Sequence, residues 1–164
     1  MKNLILHTVD DIRNALRDVK DPEIPVLSLV DLKVVRDVSV EGADVKVRIV
    51  PTFTGCPALD MMKKEVEIKL GEMGFDSIEV RVDRTGAWST DELTPEVRET
   101  MRSFGIAPPP MKQGPLDVIL SLPVECPHCG SRETQLEGEF GSTLCKQFFY
   151  CAKCLQSFER FKPL

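Results

Sequence analysis

Six cysteines carry most of the chemistry this sequence can offer, and five of them (Cys126, Cys129, Cys145, Cys151 and Cys154) fall within the last 39 residues. Cys126-Pro127-His128-Cys129-Gly130 and Cys151-Ala152-Lys153-Cys154 form two Cys-x-x-Cys knuckles separated by 21 residues. Each knuckle can turn both sulfurs toward one ion, and two knuckles supply the four thiolates of a tetrahedral site, a donor set that favours zinc. A closed tetrathiolate has no position left for a substrate, so such a metal is structural. Iron in a rubredoxin-like site and a redox role for either knuckle are the competing readings. His128 could replace one sulfur, but four thiolates are already at hand. Cys145 reads as a small buried strand residue, with a spare ligand or reactive thiol as the alternative.

Cys56 stands apart, within Thr52-Phe53-Thr54-Gly55-Cys56-Pro57. Pro57 suits the first position of a helix, which puts Cys56 at or next to the cap, where unpaired N–H groups and the helix dipole favour thiolate over thiol. A reactive thiol, a soft-metal ligand and an anion contact are all open there, beside the plainer reading of a small residue tucked against a hairpin. Gly55 would let a ligand approach the backbone closely. Asp21-Pro22-Glu23-Ile24-Pro25 adds two carboxylates on a proline-stiffened turn, a rigid loop of the kind that can present ligands to a metal, although most such turns only stop helices. His7, in a strand-like N-terminal segment, reads as incidental. The sequence shows no nucleophile elbow, glycine-rich phosphate loop, flavin or nucleotide loop, or carboxylate–histidine set for a di-iron centre. A hydrolase, kinase or oxygenase acting alone is therefore disfavoured, and no catalytic residue is assigned.

The elements that must hold these residues follow from periodicity. Thr8 opens a Thr-x-x-Asp capping signature, and Val9, Ile12, Leu16 and Val19 predict an amphipathic helix over about 9–20, ended by Asp21-Pro22. Val34 to Val40, the turn Glu41-Gly42-Ala43-Asp44 and the alternation Val45, Val47, Ile49 predict a hairpin with one wet face, its second strand disturbed at Pro51. Leu59, Met62, Val66, Leu70 and Met73 stripe a second helix that starts at Pro57 and stops at Gly74. Ile78, Val80 and Val82 mark a third strand within 75–82 that joins the first two. Thr94, Pro95 and Gly105 delimit a third helix. Ala107-Pro108-Pro109-Pro110 opens a stiff linker. The reading is α+β: a small α-β-β-α-β domain at 1–106 with a mixed sheet covered by helices, a Pro-rich linker at 107–117, and a zinc ribbon at 118–164. Phe140, Phe148, Phe149, Tyr150, Phe158 and Phe161 read as cover for the metal and packing surface.

The 164 residues are 42% hydrophobic, enough for one ordinary globular domain and a small module. The net charge is −5, and residues 1–117 carry 16 basic and 21 acidic side chains against 5 and 5 in 118–164. No Lys/Arg run suggests nucleic acid as a partner, and no apolar run reaches the ~18 residues of a membrane span. The lack of an export signal points to a reducing, cytoplasmic setting, where paired cysteines hold metal more often than they form disulfides.

The pairing of Asp21-Pro22-Glu23-Ile24-Pro25 with Thr52 to Pro57 in an α-β-β-α-β chain resembles the family of small iron–sulfur assembly factors that includes SufT. Trp88-Ser89-Thr90-Asp91, Gly105 to Pro109, the two knuckles and Phe140-Gly141-Ser142-Thr143-x-Cys145-Lys146 make the resemblance closer to the PaaD (PaaJ) branch of phenylacetate catabolism. Lys33 and Glu92 stand where that branch suggests Gly and Trp. The resemblance implies an accessory role beside a multicomponent phenylacetyl-CoA oxygenase (1,2-epoxidase), maturing or repairing an iron–sulfur cluster in its flavin reductase. Those two proteins are the implied partners, and a homodimer is an open assembly. Cys56 would be the transient cluster ligand, supported by Asp21, Glu23, Thr54 and Gly55. The alternatives are a structural subunit of the oxygenase and, third, a thiol-dependent enzyme.

Overall fold

The computed structural model describes residues 7–111 and 115–163, which divide between Trp88 and Ser89 into two compact units. In the first unit the Thr8 hydroxyl accepts from the Asp11 amide while the Asp11 carboxylate accepts from the Thr8 amide, a reciprocal cap that starts helix α1 at Val9–Ala15. The helix tightens into a 3₁₀ turn at Leu16–Asp18 and ends as Val19 becomes extended, so the α-helical part is shorter than the periodicity predicts. Strands β1 (Val35–Glu41) and β2 (Asp44–Ile49) pair antiparallel across a two-residue turn that Gly42 enters at φ 61°. Helix α2 (Leu59–Glu72) then leads to β3 (Ser77–Val82), which pairs parallel to β2 and completes a sheet of order β1-β2-β3. Antiparallel and parallel pairs in one sheet, packed by α1 on β1 and α2 on β3, give the mixed α-β-β-α-β arrangement that the alternation predicts.

Packing explains the pattern. Val45, Val47 and Ile49 of β2 are buried, as are Leu59, Met62, Val66 and Leu70 along one face of α2. Each such side chain contributes about 1.5–3 kcal/mol by leaving water. A single helical turn at Ser28–Leu32 sits between α1 and β1. The Ser28 and Asp31 side chains cap it reciprocally, and the Val34 and Lys33 amides close it on the Leu29 and Val30 carbonyls. That closing pattern needs a left-handed residue, and Lys33 supplies it at φ 59°. Trp88 is buried and donates Nε1–H to the Leu32 carbonyl at 2.7 Å, fixing the end of this turn.

In the second unit a 3₁₀ turn at Thr90–Glu92 precedes helix α3 (Pro95–Ser103), capped as predicted by Thr94, whose hydroxyl accepts from the Val97 amide. Strand β4 (Ile106–Ala107), helix α4 (Leu116–Ser121) and strands β5 (Thr134–Gly138), β6 (Lys146–Cys151) and β7 (Gln156–Phe161) follow. The sheet order is β4-β7-β6-β5. The sequence places the first domain's end at 106, whereas the division falls after Trp88, and β4 hydrogen-bonds in parallel to β7 of the ribbon. Part of the expected linker is therefore strand β4 and helix α4, while residues 112–114 lie outside the described residues. Arg160 is fully buried: it binds the Gln147 side chain and the Ile119 and Leu120 carbonyls at the end of α4, and lies 4.9 Å from the Phe149 ring centroid. Burial lowers its pKa to about 10, so it still carries its charge at neutral pH. Among the described residues no helix is long and apolar enough to cross a membrane.

Candidate functional sites: a four-sulfur cluster and the Cys56 loop

The two knuckles meet. Cys126, Cys129, Cys151 and Cys154 present sulfurs that all lie within 4.8 Å of one another, with Cys126 to Cys154 at 3.7 Å and Cys129 to Cys151 at 3.6 Å. A tetrahedron of sulfurs around an ion with ~2.3 Å bonds has edges of about 3.8 Å, so the observed spacing fits one zinc ion. The backbone prepares the sulfurs for negative charge: Cys126 accepts from the His128 and Cys129 amides, Cys151 from the Cys154 and Lys153 amides, and Cys154 from the Gln156 amide. The Cys154 and Lys153 amides bring the Cys151 thiol down to about 7, whereas burial, then its sulfur neighbours, drive Cys154 up to about 12. The backbone amides favour negative charge on the sulfurs, and their crowding opposes it, a cost that a bound cation would offset. Tight turns follow both pairs in left-handed residues, Gly130 at φ 73° and Leu155 at φ 60°.

Of the side residues, His128 is not in the cluster: its ring meets Phe158 edge-on at 6.4 Å. Cys145 is buried just before β6, with its sulfur 3.2 Å from the Thr143 hydroxyl and outside the four-sulfur set. The aromatics divide. Phe149 and Phe158 stack beside Cys126 and Cys151 in the ribbon core and Phe161 is buried, while Phe140 and Phe148 are exposed.

The second site is the loop before α2. Helix α2 begins at Leu59 with Ala58 as its cap, so Cys56 lies two residues outside the cap rather than at it. Its amide closes a turn on the Phe53 carbonyl at 3.0 Å, and its half-buried sulfur accepts from the Ala58 amide. The expected thiolate is not favoured. Burial raises the thiol's pKa, the Ala58 amide opposes that, and the Glu23 and Asp21 carboxylates raise it further while Arg84 draws it down. Desolvation and two like charges outweigh one amide and one guanidinium.

These interactions bring Asp21 and Glu23 into the electrostatic neighbourhood of Cys56 from a turn distant in sequence. Asp21 is buried and its Oδ1 accepts from the Glu23 and Ile24 amides at 2.8 and 2.9 Å, while the Asp21 amide donates to the Leu27 carbonyl. Thr54 and Gly55 are exposed, and the Phe53 ring covers the face of Gly55 on which a Cβ would stand. His7 is remote from this loop in its contacts, bonding the Met73 carbonyl and lying against Phe75. Sequence reasoning missed Arg84, which donates to the Thr54 carbonyl at 3.0 Å. The signal was local: Asp83 caps the Thr85 and Gly86 amides in an Asp-x-x-Gly turn, and parallel pairing of β3 with β2 brings that turn to the end of β2 from which the Cys56 loop departs.

Residues 9–82 match the model of the iron–sulfur cluster assembly protein family, and residues 119–162 match the PaaD zinc beta ribbon domain. A protein of Escherichia coli (strain K12) that carries the provisional name of a 1,2-phenylacetyl-CoA epoxidase component is 38% identical over 154 residues, covering 94% of this chain and 92% of its own. The chain belongs to the PaaD family. The first of its two family matches spans the Asp21 turn and the Cys56 loop, and the PaaD ribbon match spans all four clustered cysteines. An Fe-S protein maturation auxiliary factor of Porphyromonas gingivalis is 35% identical over 99 residues, 58% of this chain and 92% of that one. A conserved hypothetical protein of Thermotoga maritima, of known structure, is 30% identical with a TM-score of 0.51, covering 58% of this PaaD chain and 94% of its own.

Proposed function

We propose that this PaaD-family protein is an accessory factor of a phenylacetyl-CoA 1,2-epoxidase system that matures or repairs the iron–sulfur cluster of the system's flavin reductase, and that it does not catalyse epoxidation. The observation that carries this reading is the convergence on Cys56 of two carboxylates, Asp21 and Glu23, and the Arg84 guanidinium, within the segment that matches the iron–sulfur assembly family. The cluster is cargo. Burial and the carboxylates keep the sulfur as a thiol in its absence, and the same carboxylates give the loop a negative potential that draws a cationic iron species. The Ala58 amide aimed at the sulfur stabilises it once the proton has left. The loop is half-open, held by Arg84 on the Thr54 carbonyl, as a site that must release its cargo requires.

Cys126, Cys129, Cys151 and Cys154 would hold one structural zinc, which supplies folding free energy to the ribbon and no open coordination position. The deciding experiment matures the reconstituted oxygenase and reductase with this protein present, removes it, and measures NADPH-dependent epoxide formation together with reductase cluster content. A maturation factor leaves activity behind. Activity that collapses on removal while clusters stay intact would instead assign the protein as an obligate structural subunit.

A further inference from the structure

Helix α2 has a second apolar stripe that the core does not use. Met61 and Ile68 are 49% and 46% exposed, on the side away from the buried Leu59, Val66 and Leu70. They face a groove of about 420 Å³ between α2 and the 18–22 segment, with Val19, Pro22 and Met62 among its apolar lining. The charged lining comprises Asp18, Glu65 and Glu72 against Lys20 and Lys69, and Lys69 is already engaged by Asp18 at 2.7 Å and Glu72 at 3.7 Å. Three carboxylates against two ammoniums leave the walls with one net negative charge. The groove also shares Pro22 with the turn whose flanking residues, Asp21 and Glu23, act on Cys56.

We propose that this groove is the docking site for the client that exchanges cargo at Cys56, and that its occupant is a basic amphipathic helix of the client protein. Met61 and Ile68 are seven residues apart, about 10 Å along α2, a spacing that apolar residues two turns apart on a facing helix reproduce. Methionine side chains adapt to varied apolar anchors. Lys or Arg residues flanking those anchors meet Glu65 and Glu72. Docking at the Pro22 end delivers the client to the Cys56 loop, so the inference rests on the cluster-transfer reading for its purpose but not for its existence.

The test measures the affinity of the purified apo flavin reductase for the full-length protein at two salt concentrations. Ile68→Asp should weaken binding by about tenfold or more, by placing a carboxylate in an apolar contact. Glu65→Lys should weaken it by a smaller factor and flatten its salt dependence. Circular dichroism checks that these exposed positions leave the fold intact. Unchanged affinity in both groove variants overturns the proposal, as does failure of the unsubstituted protein to bind. A protein dimer that Ile68→Asp dissolves would overturn it too, by assigning the groove to a second copy. Groove-dependent binding without any change in reductase cluster content would leave the docking site standing and sink the maturation reading.

Discussion

Replacing Lys33 with glycine should stabilise the first unit, although it removes a side chain and adds backbone freedom. Lys33 closes the Ser28–Leu32 turn in the left-handed region at φ 59°, where its Cβ crowds the following carbonyl. That crowding costs about 1–2 kcal/mol for a residue with a Cβ. Glycine gives back about 0.5–1 kcal/mol through the greater freedom of its unfolded chain. The difference spans about 0–1.5 kcal/mol and centres on a gain of about 0.75 kcal/mol, which in a unit of this size raises the melting temperature by about 3–6 °C. Lys33→Ala is the control, because it deletes the same side chain and keeps the Cβ. Thermal melts by circular dichroism, at fixed zinc and protein concentration, should place the glycine variant above both the lysine and the alanine forms. A glycine variant no more stable than the alanine one would refute the strain argument.

Serine at all four of Cys126, Cys129, Cys151 and Cys154 should abolish tight zinc binding, read by metal analysis, and unfold the ribbon while the first unit keeps its circular dichroism; retained stoichiometric zinc would show the ligand assignment to be wrong. Cys56 should react with iodoacetamide with a pH midpoint above the ordinary thiol value of 9.0, since burial and two carboxylates disfavour the thiolate. Glu23→Gln, which deletes one of those charges, should move that midpoint down, and an upward move would contradict the geometry. Trp88→Phe should cost about 1–3 kcal/mol, because it leaves the buried Leu32 carbonyl without its indole donor, and denaturant titration would show the loss.

Much of this was legible in the sequence where a local pattern dominates. The alternation of Val45, Val47 and Ile49 and the stripe from Leu59 to Leu70 placed β2 and α2 because each period presents one face to the same core. The knuckle spacing likewise announced the four sulfurs. What escaped depends on partners far away in the chain. Strand β4 is two residues long and has no period; it exists because β7 offers it an edge. Pro57 suggested a helix start, but Phe53 closes a turn with Cys56 first and delays α2 to Leu59. Burial, with the Asp21 and Glu23 carboxylates, reverses the expected ionisation of Cys56, since a cap argument counts amides and leaves out charges brought by another loop. Met61 and Ile68 fall outside the core stripe, and that position is what leaves them at the surface.

The parallel ladder between Ile106–Ala107 and Glu159–Arg160 has a consequence for how the chain is made. A ribosome delivers the first unit complete before it has delivered either the second knuckle or the strand that β4 needs. For that interval the nascent molecule is a finished α+β unit trailing a tail that holds only two of the four sulfurs, those of Cys126 and Cys129. The four-sulfur set is therefore completed late, once Cys151 and Cys154 and the strand that pairs with β4 have all been made. Growth in zinc-poor medium should leave the ribbon open after synthesis is complete, exposing that tail to proteases while the Cys56 loop is already formed.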